Sequence, residues 1–205
     1  MRVLVFTGGI GSGKSLVCRM LTESYDIPVY EADRRVKALY SEIPSILDDI
    51  EKALGLSVRD DAGVFQPQGL ADVIFTDPDA IRKLEDIVFP RLKEDFSRWA
   101  EDQGKDVVAF ESATVLEKEQ FDGFGDIVLL VDAPMELRLS RACSRDGIDQ
   151  AKIQARMAAQ QLMNFVSGGG TIERVDQVIV NDGSVALLEQ KLDDFIGKYG
   201  LTKML

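Results

Sequence analysis

The sequence predicts an α/β fold, a three-layer arrangement around a five-stranded parallel sheet with a helical insertion after the second strand and a helical lid. Three observations predict it: five short apolar runs recur along the 205 residues, helical patterns separate most of them, and the stretch from 34 to 105 carries almost only helical pattern. Strands joined through helices run parallel, because a tight turn cannot connect a parallel pair. Such sheets present functional residues at the C-terminal ends of their strands.

The first run, Arg2-Val3-Leu4-Val5-Phe6, reads as a strand buried on both faces. It leads into Thr7-Gly8-Gly9-Ile10-Gly11-Ser12-Gly13-Lys14-Ser15, a loop bare enough for main-chain N–H groups to converge on one point. Beyond it Leu16, Val17, Met20 and Leu21 form the apolar stripe of a helix whose N-terminal dipole faces the same point. Strand, loop and helix therefore aim at an anion. The spacing Gly8-x4-Gly13-Lys14-Ser15 is the phosphate-loop (P-loop) pattern, in which the lysine reaches the β- and γ-phosphates and the serine hydroxyl binds Mg²⁺. Residues Gly8, Gly9, Ile10, Gly11, Ser12, Gly13, Lys14 and Ser15 are accordingly assigned to nucleotide binding.

The remaining strands are read at Ile27-Pro28-Val29-Tyr30, Val107-Val108-Ala109-Phe110, Ile127-Val128-Leu129-Leu130-Val131 and Gln177-Val178-Ile179-Val180, each followed by a polar or acidic residue. Between the second and third lie two helical blocks, 34–54 and 77–103, too long together for one crossover. They read as an insertion over the strand ends that covers a second substrate. Asp132 closes a strand, but no glycine-rich dinucleotide fingerprint accompanies it. The Ser-Gly-Gly-Gly-Thr run at 167–171 follows a helix and reads as its C-terminus and a mobile link.

Composition narrows the chemistry. Histidine is absent and the two cysteines, Cys18 and Cys143, stand far apart, which excludes histidine catalysis and any Cys/His zinc site. A net charge of −11 opposes general binding to nucleic acid or an anionic membrane. With no signal-peptide pattern and no apolar run near the roughly 20 residues of a bilayer span, the expectation is a soluble cytoplasmic protein. A monomer or weak homo-oligomer is expected.

Several charged residues stand where a phosphate loop would use them. Asp33 follows the second strand, placed either to receive a proton or to cap the helix starting at Arg34. Glu111 ends the third strand, either as an acid holding Mg²⁺ or as a solvated strand end. Arg138, Arg141 and Arg145 share one helix face, either as a solvated stripe or as cations that neutralise a phosphoryl group in transit. A further helix, with Asp149 as its N-cap, carries Arg156 and Gln160 one turn apart. These two helices read as a lid.

The segments TGGIGSGKS, EAD after the second strand, SRDGI, ARMAAQ and VDQVIVNDGS, spread over nearly the whole chain, together resemble the dephospho-coenzyme A kinase family. The resemblance implies a P-loop kinase-like fold, with a nucleotide-binding core at 1–32 and 106–205, a lid at about 136–166 and an acceptor-binding insertion at 33–105. It further implies ATP and Mg²⁺ as requirements and dephospho-coenzyme A as the small-molecule partner, phosphorylated on its ribose 3′-hydroxyl to coenzyme A.

By the same resemblance Asp33 receives the hydroxyl proton, Lys37 lies near the family's basic position in the substrate site, and Lys14 and Ser15 keep their loop roles. Arg145 and Arg138 meet the ATP phosphates, Asn181 and Gly183 close around adenine, and Glu111 stands at the family's acidic position for metal and substrate. Three departures mark this chain: Phe89-Pro90 replaces a His-Pro pair, Pro67 an arginine, and Glu111 the aspartate of Asp-x-Pro-Leu-Leu-x-Glu, whose last position Glu117 keeps. The rival readings are another small-molecule P-loop kinase, acting on a nucleoside monophosphate or a shikimate- or gluconate-like acid, and a GTP-dependent switch. The switch needs Asn-Lys-x-Asp to read guanine, which the chain lacks.

Overall fold

The computed structural model describes residues 1–74, 76–147 and 149–201, without the side chains of Asp146, Gln161, Leu162 and Ser167. Its sheet has five parallel strands, β1 (Arg2–Gly8), β2 (Val29–Glu31), β3 (Val107–Glu111), β4 (Ile127–Asp132) and β5 (Gln177–Val180), in the order β2-β3-β1-β4-β5. The predicted α/β architecture is therefore present. Placing β1 at the centre sets Phe6 beside Glu111 on one side and Gly8 beside Val131 on the other. The loop after β1 thus leaves from the middle of the sheet.

The burial of the strands explains their composition. All five residues of β3 are buried, as are Leu4, Val5 and Phe6 of β1, so these strands read as unbroken apolar runs. Val17, Met20 and Leu21 of α1 (Lys14–Tyr25) and Leu188, Leu192 and Phe195 of α9 (Val185–Tyr199) join the same core. Each such side chain contributes about 1.5–3 kcal/mol of burial. Strand β2 begins two residues later than the apolar run, at Val29, because Pro28 has no N–H for the ladder and offers only its carbonyl, to Ala109 N at 2.8 Å.

The chain divides into two compact units: Met1–Glu31 together with the chain from Gln103 onward, and Ala32–Asp102. In the second unit the 34–54 block is two helices, α2 (Ala32–Glu42) and α3 (Pro44–Leu54), since Pro44 starts a new helix at its N1 position and excludes Ile43 from the old one. Helices α4 (Pro67–Ile74) and α5 (Pro78–Gln103) follow, with Pro90 inside α5. Residues 55–66 correct the almost wholly helical expectation. They form a loop closed by an antiparallel bridge between Arg59 and Phe65, with Asp60 Oδ1 accepting from Ala62 N at 3.0 Å and Val64 N at 2.9 Å. The Arg35 guanidinium forks onto Asp95 at 2.6 and 2.8 Å and ties α2 to α5.

In the first unit α6 (Met135–Asp146) and α7 (Gln150–Ala158) follow β4, and α8 (Gln161–Ser167) precedes β5. Asp149 caps α7 as expected, accepting from Ala151 N at 2.7 Å. The glycine run begins at the C-terminus of α8, also as expected. Among the described residues no helix is long and apolar enough to cross a membrane.

Candidate active site

The loop from Gly8 to Gly13 is held closely on three sides. A β-carbon on Gly9 would come within 2.0 Å of Arg138 Nη2, and one on Gly13, whose φ is 106°, within 2.2 Å of Asn181 Nδ2. Gly13 therefore demands glycine for its backbone, while at Gly9 the missing side chain leaves the room that the Arg138 guanidinium fills. The side chains that crowd these glycines also bind the loop. Asn181 Nδ2 donates to the Ser12 carbonyl at 2.9 Å, and Arg138 Nε donates to the Ile10 carbonyl at 3.1 Å.

At the end of the loop Lys14 Nζ donates to the Gly8 carbonyl at 2.8 Å and stands 3.9 Å from Glu111 Oε1. Strand register brings these charges together, because Glu111 ends β3 directly beside β1. Glu111 is a buried carboxylate facing a cation, which separates it from a merely solvated strand end. Ser15 is exposed in the first turn of α1. One turn on, Cys18 is pushed up to about 12 by burial first and by Glu111 and Glu31 next, so it stays a neutral, unreactive thiol.

The three arginines of α6 do not form one exposed stripe. Arg138 is 0% exposed, Arg141 is half-buried and Arg145, in the last turn, is exposed. Arg138 Nη1 lies 3.8 Å from Asp132 Oδ1, and neither atom has a hydrogen-bond partner among the described residues. Burial pulls the guanidinium below its ordinary pKa while Asp132 opposes that pull; an arginine remains charged regardless. Arg141 Nη1 donates to the Asn181 carbonyl at 3.1 Å. Arg138 and Asn181 thus each give a side-chain hydrogen bond to the loop's main chain. Gly183 is exposed beyond β5, and Ile148 of the SRDGI segment lies outside the described residues.

Gln160 is the residue whose place sequence reasoning missed. Helix α7 ends at Ala158, so Gln160 is not on its face with Arg156 but precedes α8, and its Oε1 accepts from Ile10 N at 2.9 Å and Arg138 Nη2 at 3.2 Å. The only sequence signal was its closing position in ARMAAQ.

In the Ala32–Asp102 unit, α2 starts at Ala32, so Asp33 sits inside the first turn and is not the N-cap expected for a helix starting at Arg34. A carboxylate there is favoured by the helix dipole. Asp33 and Lys37, one turn apart, line a cavity of about 650 Å³ whose other walls include Tyr40, Phe65, Leu70 and Val88. Pro67 and Phe89, two of the three departures named above, line this same cavity. No group of three or more acidic, cysteine or histidine side chains that would hold a metal unaided occurs among the described residues.

A sequence model of the dephospho-CoA kinase family matches residues 2–186. A dephospho-CoA kinase of Porphyromonas gingivalis is 33% identical over 181 residues, covering 88% of this chain and 86% of that protein. A solved structure of the Thermus thermophilus protein TT1252 superposes with a TM-score of 0.79 at 26% identity, covering 96% of this chain and 97% of the other. The dephospho-CoA kinase of Campylobacter jejuni shares the fold with a TM-score of 0.55 at 18% identity, covering 96% of each chain.

Proposed function

This chain belongs to the dephospho-CoA kinase family, and we propose that it transfers the γ-phosphoryl group of ATP to the ribose 3′-hydroxyl of dephospho-coenzyme A, giving coenzyme A and ADP. The observation that carries this reading is the phosphate loop itself, pinned from outside by Arg138 and Asn181 with Lys14 beside Glu111 at its end. A loop so held has its anion-binding amides oriented before any nucleotide arrives, which is where electrostatic catalysis of phosphoryl transfer gets its strength.

In the proposed reaction the bond from the γ-phosphorus to the β,γ-bridging oxygen breaks and a bond to the acceptor's 3′-oxygen forms. The hydroxyl proton passes to the Asp33 carboxylate and then to solvent. Because the transition state is loose, the hydroxyl keeps its proton until late, and Asp33 acts first by orienting it. Lys14 and the amides of Gly11, Gly13 and Ser15 hold the β- and γ-phosphates, while Arg145 meets the charge spread over the transferring oxygens. Lys37 assists in seating the acceptor in the cavity of the insertion.

The donor set fits Mg²⁺ bound mainly through nucleotide phosphates: the exposed Ser15 hydroxyl and the Glu111 carboxylate would hold it, the latter directly or through water. When bound, the ion neutralises phosphate charge. The test is incubation with Mg·ATP and, separately, dephospho-coenzyme A, AMP, CMP, adenosine and shikimate, with mass analysis and phosphorus NMR of the products. Dephospho-coenzyme A is expected to be the best acceptor, phosphorylated at the 3′ position. Preference for another acceptor would overturn the substrate assignment and give Pro67 and Phe89 a role in changing it.

A further inference from the structure

Ile10 is the one residue of the stretch Gly8–Gly11 that carries a side chain, and both of its main-chain polar groups are taken. Its N–H donates to Gln160 Oε1 at 2.9 Å and its carbonyl accepts from Arg138 Nε at 3.1 Å. Arg138 Nη2 donates to the same Gln160 oxygen at 3.2 Å, which closes a ring of three hydrogen bonds. Gln160 lies 150 positions after Ile10, so only the tertiary fold brings them together.

The position of Gln160 is itself anchored. Its N–H donates to the Met157 carbonyl at 3.1 Å, and its carbonyl accepts from Asn164 N at 3.1 Å. Met157 and Ile153 of α7 and Ala142 of α6 form a small buried core, and the Ile10 side chain packs against it. Ile10 is therefore gripped twice, its side chain by the core of α6 and α7 and its amide by Gln160 at the junction of α7 and α8.

We propose that Gln160 is a positioning residue for nucleotide binding: it holds the Ile10 amide so that the phosphate loop is already formed when the nucleotide arrives. This rests on the nucleotide-binding reading of the loop. A loop with glycines at 8, 9, 11 and 13 samples many conformations when released. The apparent affinity for a ligand is reduced by the fraction of molecules in the competent conformation. The residue type suits the place: a glutamine carbonyl accepts from both donors without adding negative charge next to an anion site. Glutamate would accept equally well, and Arg138 would pair with it, but its charge would oppose the phosphates.

The test compares wild type with Gln160→Met, which removes the acceptor at similar length, and Gln160→Asn, whose amide is one methylene too short to reach the Ile10 N–H. ADP binding is measured by calorimetry beside thermal melting, and KM for ATP and kcat are measured with the preferred acceptor. Gln160→Met is expected to raise the ADP Kd and the KM for ATP by about tenfold in parallel, while kcat at saturating ATP falls by less than about threefold, the pattern of lost uniform binding. Gln160→Asn is expected to melt near wild type and lose ADP affinity by a similar factor, which keeps the test open should Gln160→Met not fold. A Gln160→Asn variant that binds ADP as wild type does would overturn the proposal. So would a Gln160→Met variant that melts lower with its ADP Kd within twofold of wild type. A wild-type protein that binds no ADP would overturn the nucleotide reading, and this proposal with it.

Discussion

The side-chain amide of Asn181 donates to the main-chain carbonyl of Ser12 at 2.9 Å, joining the residue after β5 to a loop 169 positions earlier. Asn181 is held from its other side too, its N–H donating to the Asp132 carbonyl at 2.7 Å and its carbonyl accepting from Arg141. Replacing Asn181 by Asp puts a carboxylate oxygen opposite a carbonyl oxygen and negative charge beside the anion site. Leaving a buried acceptor without its donor costs about 1–3 kcal/mol. Thermal melting is expected to fall by roughly 2–4 °C per kcal/mol, and calorimetry should show ADP affinity down at least about tenfold. Native affinity in that variant would remove Asn181 from the support of the loop.

Arg138 and Arg145 stand on one helix but should fail differently. Arg138→Ala deletes a fully buried cation that stands 3.8 Å from Asp132 Oδ1, so the loss is expected first in melting temperature. Arg145 is exposed, and Arg145→Ala should melt as wild type does while kcat falls by on the order of 10². A raised KM for ATP at unchanged kcat would make Arg145 a ground-state clamp instead.

Asp33→Asn tests the proton acceptor. Asp33 lies in the first turn of α2 and not at its cap, where its charge gains about 0.3–1 kcal/mol from the helix dipole. Melting and ADP binding should stay near wild type, while kcat with dephospho-coenzyme A drops by roughly 10²–10⁴. Turnover within a few-fold of wild type would send the search for the base to Glu111.

The acid response of the insertion is set partly by Glu51. The Arg59 guanidinium first, and the Val58 N–H after it, hold its carboxyl at about 2, against an ordinary value of 4.5. A depressed carboxyl stabilises the fold fully above its unfolded pKa, and that contribution is lost as pH falls through the folded value. Stability is therefore expected to decline from about pH 4.5 toward pH 2. Denaturant titrations across that range should show a shallower decline for Glu51→Gln; equal slopes would show that other carboxylates carry the response.

Much of the molecule is legible along the chain. The phosphate loop and the β5 run Gln177–Val180 are local patterns, in which residue spacing alone states the geometry. Helix breaks were less legible, since Pro44 splits one block while Pro90 sits inside α5. A proline's effect depends on whether neighbouring structure accommodates the hydrogen bond it removes.

What the sequence by itself determined is the five strand runs, the helices between them and the loop after β1, because each is encoded within a few consecutive positions. What only the tertiary structure decided is which polar side chains bind the loop. From the sequence Arg138 and Asn181 read as groups for the nucleotide and Gln160 as part of a lid helix, and the fold adds to each a hydrogen bond to the main chain of the loop. The reason is physical: the bare loop leaves its carbonyls and amides to be satisfied from elsewhere, and donors and acceptors more than a hundred residues away meet them only once the sheet and its helices have packed.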